Sequence, residues 1–466
     1  MLTFDKQNEK KETLTLEGRT IEYRSYRNLI YVENPVLPKY QSMNIFVPEA
    51  YYHEKSINGY TKDTAPVFMP NGVGGYMAGD AQEPGYVQFG PKSLNALFCA
   101  LEHGYVVAAP AIRGSMSKDA AGRNCGKAPA LLVDQKAAVR YLHYFADEIP
   151  GDQNRIITNG TSAGGALSAL AGATGNHPDY LPYLKELGAA DASDAVFAAS
   201  CYCPITNLEH ADMAYEWQFQ GVYDFHRMHM QMGEGNRPEF SQEDGVMAPE
   251  DQAVSDEEAA LFPAYLNSLD LRAEDGTALL LDENGEGSFK EYIKSLVLDS
   301  AAAAEAKSID VSEKKWLTAE NGTRALDFAG YIRDITRMKT APAFDPLEMN
   351  SAENLVFGYG KEDCLHFTNY SYERSRTGGA LADPNRVKLI NPMYYLKDDA
   401  AEKTKHWRIR HGSIDRDTSL AVSAILALSL KNLGYDVDYA VPWNVPHSGD
   451  YDLDELFAWI DNLCKK

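Results

Sequence analysis

No stretch of this sequence approaches the roughly 18–20 consecutive apolar residues that a membrane-spanning helix needs, so no transmembrane anchor is expected. The opening segment, MLTFDKQNEKKETLTLEG, is charged early and has no apolar core, which argues against a secretory signal and for a cytoplasmic protein. Cysteine is scarce. Its six copies, Cys99, Cys125, Cys201, Cys203, Cys364 and Cys464, are scattered, unlike the framework of a small disulfide-stapled domain. Cys201 and Cys203 would share one side of a strand, a poor geometry for a mutual bridge. All six are expected as reduced thiols, no spacing suggests zinc, and neither metal nor organic cofactor is expected. Basic charge is also short, with 44 Lys and Arg against 67 Asp and Glu and a net charge of −23. Such a balance repels nucleic acid and anionic membranes, so neither is an expected partner. No obligate protein partner is evident, and no internal repeat is visible.

What is present is ordinary globular material, 44% hydrophobic and 24% charged, in a chain too long for one compact core of usual size. Short apolar runs that stop at proline, Met43–Pro48, Ala65–Pro70 and Tyr105–Pro110, read as strands buried on both faces. Helical spacing covers Lys92–Leu101 and Pro129–Phe145, and Arg155–Asn159 and Asp194–Tyr202 read as further strands. Alternating strands and helices predict an α/β fold with a mostly parallel, doubly wound sheet. The rhythm breaks near Pro204 and gives way to helix formers and acidic clusters, as in Ser255–Leu271 and Leu298–Lys315. It resumes with the strand His406–His411, the helix Thr418–Leu433, the strand Val437–Val441 and the helix Asp454–Cys464. The expected division is a core of residues 1–203 and 397–466, interrupted by a mainly helical lid of residues 204–396 that folds as its own unit.

The sharpest motif is Gly160-Thr161-Ser162-Ala163-Gly164, set between the strand RIITN and the alanine-rich helix Ala166–Ala173. G-x-S-x-G in that context is a nucleophile elbow: glycines permit a turn tight enough to thrust the Ser162 hydroxyl above the sheet. The helix behind it brings a positive dipole and free N–H groups, making the Ala163 amide an oxyanion donor. A second donor is expected from Asn71-Gly72-Val73-Gly74-Gly75-Tyr76, after the strand APVFMP, with Gly75 or Tyr76 as candidates. The bland alternative for either segment is a plain glycine-rich turn.

In the α/β-hydrolase fold the acid and the base follow the serine in that order. The turn His411-Gly412-Ser413-Ile414-Asp415 follows the strand HWRIRH and supplies Asp415 as the acid, with Asp417 a close competitor. Of 11 histidines, His447 in Pro446-His447-Ser448-Gly449-Asp450 alone combines last position in the order with a loop after a strand. It can take the serine proton on one nitrogen while the aspartate holds the other.

With these in place, the chain resembles the bacterial tannases, the tannin acyl hydrolases, over essentially its whole length. The resemblance is carried by PGDQNRIITNGTSAGGALSALAGATGN, YCPITNLEHADMAYEWQF, TRMKTAPAFD, HWRIRHGSIDRDTS and PWNVPHSGDYDLDELFAWIDNLC. It implies an α/β-hydrolase core with a large lid before the acid turn, and hydrolysis of galloyl esters such as galloylated sugars, alkyl gallates and gallated catechins. It also implies a clamp on the galloyl hydroxyls at Lys339 of TRMK, Glu353 of SAEN and Asp417 of IDRD. The expected partner is thus a small phenolic ester. Two carboxylates and an ammonium suit a trihydroxyphenyl ring, whose O–H groups donate and accept. By composition alone Lys339 and Glu353 would pass for solvated lid charges, and Asp417 for a helix cap. The competing functions are a feruloyl or general aryl esterase of the same fold, or a silent member that binds phenols without cleaving them.

Overall fold

The computed structural model describes residues 2–88, 92–232, 238–320 and 323–465. Its centre is a nine-stranded sheet in the order β1-β2-β3-β5-β4-β6-β7-β12-β13. The strands are β1 (Glu9–Leu16), β2 (Arg19–Ile30), β3 (Ser42–Pro48), β4 (Pro66–Pro70), β5 (Val106–Pro110), β6 (Asp152–Thr161), β7 (Ala198–Tyr202), β12 (His406–Arg410) and β13 (Asp436–Ala440). Every residue of β3, β4, β5 and β7 is buried, as expected of apolar strands covered on both faces. From β5 through β4, β6, β7 and β12 to β13 all neighbours are parallel. The α/β architecture with a mostly parallel sheet is what the alternation predicted.

The first three strands form an antiparallel run instead. Sequence alternation hardly announces it, because β1 reads Glu-Lys-Lys-Glu before any apolar residue and lies mostly exposed at the sheet edge. Charge there blunts pairing with another chain.

Helices α1 (Ala96–Glu102), α2 (Ala130–Tyr144), α3 (Ala163–Ala173) and α4 (Leu181–Leu187) belong to the first part of the core. Asn95 caps α1 by accepting from the Phe98 amide, so the helix starts later than Lys92. The chain leaves the sheet after β7 and returns at β12. Between them come α5 (Ala211–Gln218), α6 (Pro249–Ser268), α7 (Ser288–Ala306), α8 (Phe328–Ile335), α9 (Ala352–Phe357), α10 (Asn369–Glu373) and α11 (Pro384–Lys388). Two antiparallel hairpins, β8 (Asp224–Met232) with β9 (Pro238–Val246) and β10 (Leu317–Glu320) with β11 (Thr323–Leu326), interrupt these helices and were not expected. Of the helix-former-rich stretch Leu298–Lys315, residues 307–315 lie beyond the end of α7. The last helices are α12 (Leu420–Asn432) and α13 (Leu453–Cys464). One apolar core runs continuously from the sheet into the inserted helices, joining Trp407 and Ile409 to Phe262, Phe289 and Trp316. Among the described residues, no helix is long and apolar enough to cross a membrane.

Candidate active site

Five loops meet at the carboxyl ends of the parallel strands, where open α/β sheets place their ligands. They follow β4 (Asn71–Tyr76), β6 (the Ser162 elbow), β7 (Cys203), β12 (the acid turn) and β13 (the His447 loop).

Ser162 sits at φ 59°, ψ −120°, a strained backbone for a residue with a side chain, directly before α3. The turn is closed by close approach. A Cβ at Gly160 would lie 2.3 Å from the Gly164 carbonyl oxygen, and one at Gly164 would lie 2.4 Å from Asn71 Oδ1. Asn71 therefore touches the elbow directly, and its Nδ2 donates to the carbonyls of Asn159 at 3.2 Å and Gly164 at 3.0 Å. This residue was read only as part of a glycine loop; its side chain ties that loop to the nucleophile.

Gly75 and Tyr76 both adopt left-handed backbone, at φ 53° and 55°. Among the described residues, the amides of Gly75, Tyr76 and Ala163 donate to no protein acceptor. The Tyr76 phenol is buried, and a Cβ on Gly75 would lie 3.9 Å from that of Ala352, at the start of α9. The loop after β4 thus abuts the helix turn that carries Glu353.

The acid turn and the histidine loop interlock. Ser413 and Ile414 amides donate to the carbonyls of Pro442 and Val445 at 2.9 and 3.1 Å. Gly449 is required by contact, since a Cβ there would lie 1.8 Å from Thr161 Oγ1. Asp415 is buried. Its Oδ1 accepts the amides of Asp417 at 2.9 Å and Thr418 at 3.1 Å, and its Oδ2 accepts from His447 Nδ1 at 2.8 Å. Asp417 instead lies on the other side of the ring, with Oδ2 3.8 Å from His447 Nε2. Burial opposes the charged imidazolium, yet the carboxylate of Asp415, with Cys203 and Asp417, raises His447 well above the ordinary imidazole range. Burial likewise resists ionisation of Asp415, but His447 and His411 hold it below the usual carboxylate value.

Ser162 Oγ makes no hydrogen bond among the described residues, so the structure joins Asp415 to His447 without joining His447 to the serine. Cys203 fills part of this region. It lies just beyond the end of β7 at φ 35°, and its buried Sγ is 3.9 Å from His447 Nε2. Burial raises its thiol, against the lowering effect of His447 and of the Ser162 amide. Sequence reasoning missed this contact by treating Cys203 as one more strand residue. Cys203, Asp415 and His447 offer three potential metal-ligating atoms within 4.8 Å of one another. The carboxylate is already engaged by Nδ1, and the thiol donates to the Ser448 carbonyl at 3.5 Å. All six cysteines are free.

Lys339 Nζ lies 2.5 Å from Asp417 Oδ1 and 4.0 Å from the centre of the Phe344 ring. Burial works against the ammonium, but Asp417 and then Glu353 outweigh it and raise Lys339. Burial also resists the Asp417 charge, which Lys339 and His447 nonetheless hold well below the usual range. Glu353 moves the other way, pushed up by burial against the pull of Lys339. The three side chains expected to act together therefore share one electrostatic neighbourhood, with Lys339 and Asp417 in direct contact.

Similarity to proteins of known structure extends over this whole arrangement. The crystal structure of tannase from Lactobacillus plantarum is 47% identical, with each chain covering 100% of the other and a TM-score of 0.96. This chain belongs to the bacterial tannases. It is accordingly a carboxylic ester hydrolase that acts on galloyl esters. A tannin acyl hydrolase in complex with ethyl gallate is also 47% identical, over 99% of this chain and 98% of that one, with a TM-score of 0.92. The BD-FAE family model matches residues 60–256, from before β4 to within α6. The Esterase LipC of Mycobacterium tuberculosis (strain ATCC 25618 / H37Rv) is 44% identical over 68 residues, 15% of this chain; the chain spans only 17% of that relative's length.

Proposed function

We propose that galloyl ester hydrolysis runs through Ser162, His447 and Asp415, with a galloyl group carried transiently on the serine. The observation that supports this most is the 2.8 Å bond from His447 Nδ1 to buried Asp415. It holds the imidazole in the tautomer whose Nε2 is free to take a proton. Catalytic hydrogen bonds are often open in a free enzyme and close around substrate, which accommodates the unpaired Ser162 hydroxyl.

Ser162 Oγ attacks the ester carbonyl as Nε2 takes its proton. The oxyanion accepts from the Ala163 amide and from an amide of the Gly75–Tyr76 turn. The imidazolium then protonates the departing alcohol. Water, deprotonated by the same nitrogen, attacks the acyl-serine carbonyl, and the imidazolium returns the proton to Ser162 Oγ as the ester bond breaks and gallate leaves.

Lys339, Glu353 and Asp417 hold the galloyl hydroxyls. Asp417 accepts a phenol proton, Lys339 donates to a phenol oxygen, and Glu353 serves whichever hydroxyl remains. A ligand without those hydroxyls forfeits its bonds to these half-buried charges, which is how such a site disfavours it. The alcohol half is free to vary, so sugars, catechins and simple alkanols all qualify as leaving groups. In this scheme residues 204–396 form a lid that supplies Lys339 and Glu353 to a catalytic core of residues 1–203 and 397–466.

Steady-state hydrolysis of methyl gallate, methyl ferulate and methyl benzoate tests the assignment. Strong preference for the gallate is the expected result. Comparable rates on all three esters would remove the clamp and leave a broad aryl esterase.

A further inference from the structure

The segment YCPITNLEHADMAYEWQF contributes no residue to the triad or to the clamp, although it is among the stretches most specific to the family resemblance. It contains α5, of which all residues but Met213 are buried, among them Asp212, Tyr215, Glu216 and Gln218. Buried polar groups need partners. Those of α5 lie almost wholly in the two segments that carry Lys339 and Asp417.

On the lid side, both Oε atoms of Glu216 accept from Arg337 Nη2, at 2.8 and 2.9 Å, with both side chains fully buried. Arg337 Nε in turn donates to the Lys339 carbonyl at 2.6 Å. Asp212 Oδ1 accepts the amide of Phe344, the ring beneath Lys339, at 2.6 Å. On the core side, Gln218 Oε1 accepts from Ser419 Oγ at 2.9 Å and the Leu420 amide at 2.8 Å, just beyond Asp417. Tyr215 spans both. Its hydroxyl oxygen accepts the amides of Met338 at 3.0 Å and Lys339 at 3.1 Å, and its proton goes to the Arg416 carbonyl at 2.8 Å. That uses both lone pairs and the one proton of a phenol.

We propose that Tyr215 is a positioning residue for galloyl recognition: one buried hydroxyl joins the backbone of Lys339 to the backbone beside Asp417 and sets the spacing of the two charges. This rests on the clamp assigned to those residues above. Tyr215 makes no hydrogen bond to Ser162, Asp415 or His447, so its effect falls on recognition of the hydroxylated ring and not on acyl transfer. A second link, from Arg416 Nη1 to Thr336 Oγ1 at 2.8 Å, keeps the segments together when the phenol is lost. Misalignment is therefore the consequence, and misplacement of about 1 Å at a binding group can cost about 100-fold.

The test compares Tyr215→Phe, Lys339→Ala and the double variant on methyl gallate and methyl benzoate, with rates normalised to Ser162 titrated by an organophosphonate. Tyr215→Phe is expected to lower kcat/KM for methyl gallate by about 10- to 100-fold, mainly through KM, and to leave methyl benzoate near the wild-type value. In the Lys339→Ala background the same change should add little, because the two act through one contact. Equal losses on both esters, or a full additional loss in the double variant, would overturn the proposal. Wild-type selectivity in Tyr215→Phe beside an impaired Lys339→Ala overturns this inference alone, whereas wild-type selectivity in Lys339→Ala overturns the clamp and this inference with it. If Tyr215→Phe does not accumulate as folded protein, Gln218→Ala loosens the other anchor of Asp417 and is expected to show the same split between the two esters.

Discussion

His447 Nε2 lies 3.8 Å from Asp417 Oδ2, while the other ring nitrogen bonds Asp415. The carboxylate assigned to a galloyl hydroxyl therefore also faces the nitrogen that must accept the serine proton. Recognition and base strength are coupled through that one gap.

This coupling predicts a particular pH profile. The base works only when neutral, so activity is present above the pKa of His447 and is lost as pH falls through it. Since Asp415, Cys203 and Asp417 raise that pKa, the acid limb of kcat/KM on methyl benzoate should lie above the usual imidazole value of about 6.5. Asp417→Asn removes one negative neighbour, and the limb should move toward lower pH. A limb that stays in place in the variant contradicts the coupling.

The two aspartates should separate cleanly by mutation. Asp415→Asn favours the wrong tautomer of His447 and is expected to lower kcat by about 10⁴-fold on every ester. Asp417→Asn should spare methyl benzoate on the pH plateau above the acid limb and impair methyl gallate there. Reversal of that pattern in steady-state assays would reassign the acid.

Lys339→Ala leaves the half-buried Asp417 and Glu353 without their cation. Loss of one charge-assisted bond, worth about 1.5–3 kcal/mol, corresponds to roughly a 10- to 150-fold fall in kcat/KM for methyl gallate. The relative rates on methyl gallate and methyl benzoate give the check. A uniform loss on both would place the lysine outside substrate recognition.

The fully buried Glu216–Arg337 pair predicts a stability effect. Arg337→Met leaves the buried Glu216 carboxylate without its cation, still accepting from the Ser255 hydroxyl, and should cost about 3–5 kcal/mol in chemical denaturation, whereas Arg337→Met with Glu216→Leu should recover much of that loss. A single variant as stable as the parent would show that water or another group answers the carboxylate.

Much of the site was legible along the chain because its signals are local. Gly160 and Gly164 are demanded by contacts within the elbow and its neighbouring loop, and a strand before Ser162 with a helix after it leaves one kind of turn. The loops bearing Asp415 and His447 stand out for the same reason, each following a short strand of the resumed alternation. Cys203 and Tyr215 carried no such signal. A lone cysteine at a strand end and a tyrosine within a helix look like packing until the groups around them are known.

Sequence alone thus determined the strand–turn–helix setting of Ser162 and the order of the residues after it, because spacing and backbone sterics act over a few neighbours. Only the tertiary structure decided that Asp415, and not Asp417, meets Nδ1 of His447, while Asp417 turns to Lys339. That choice depends on how β7, β12 and β13 align and on how α5 draws the segment bearing Lys339 against the acid turn. Both are packing between distant parts of the chain, which no local pattern encodes.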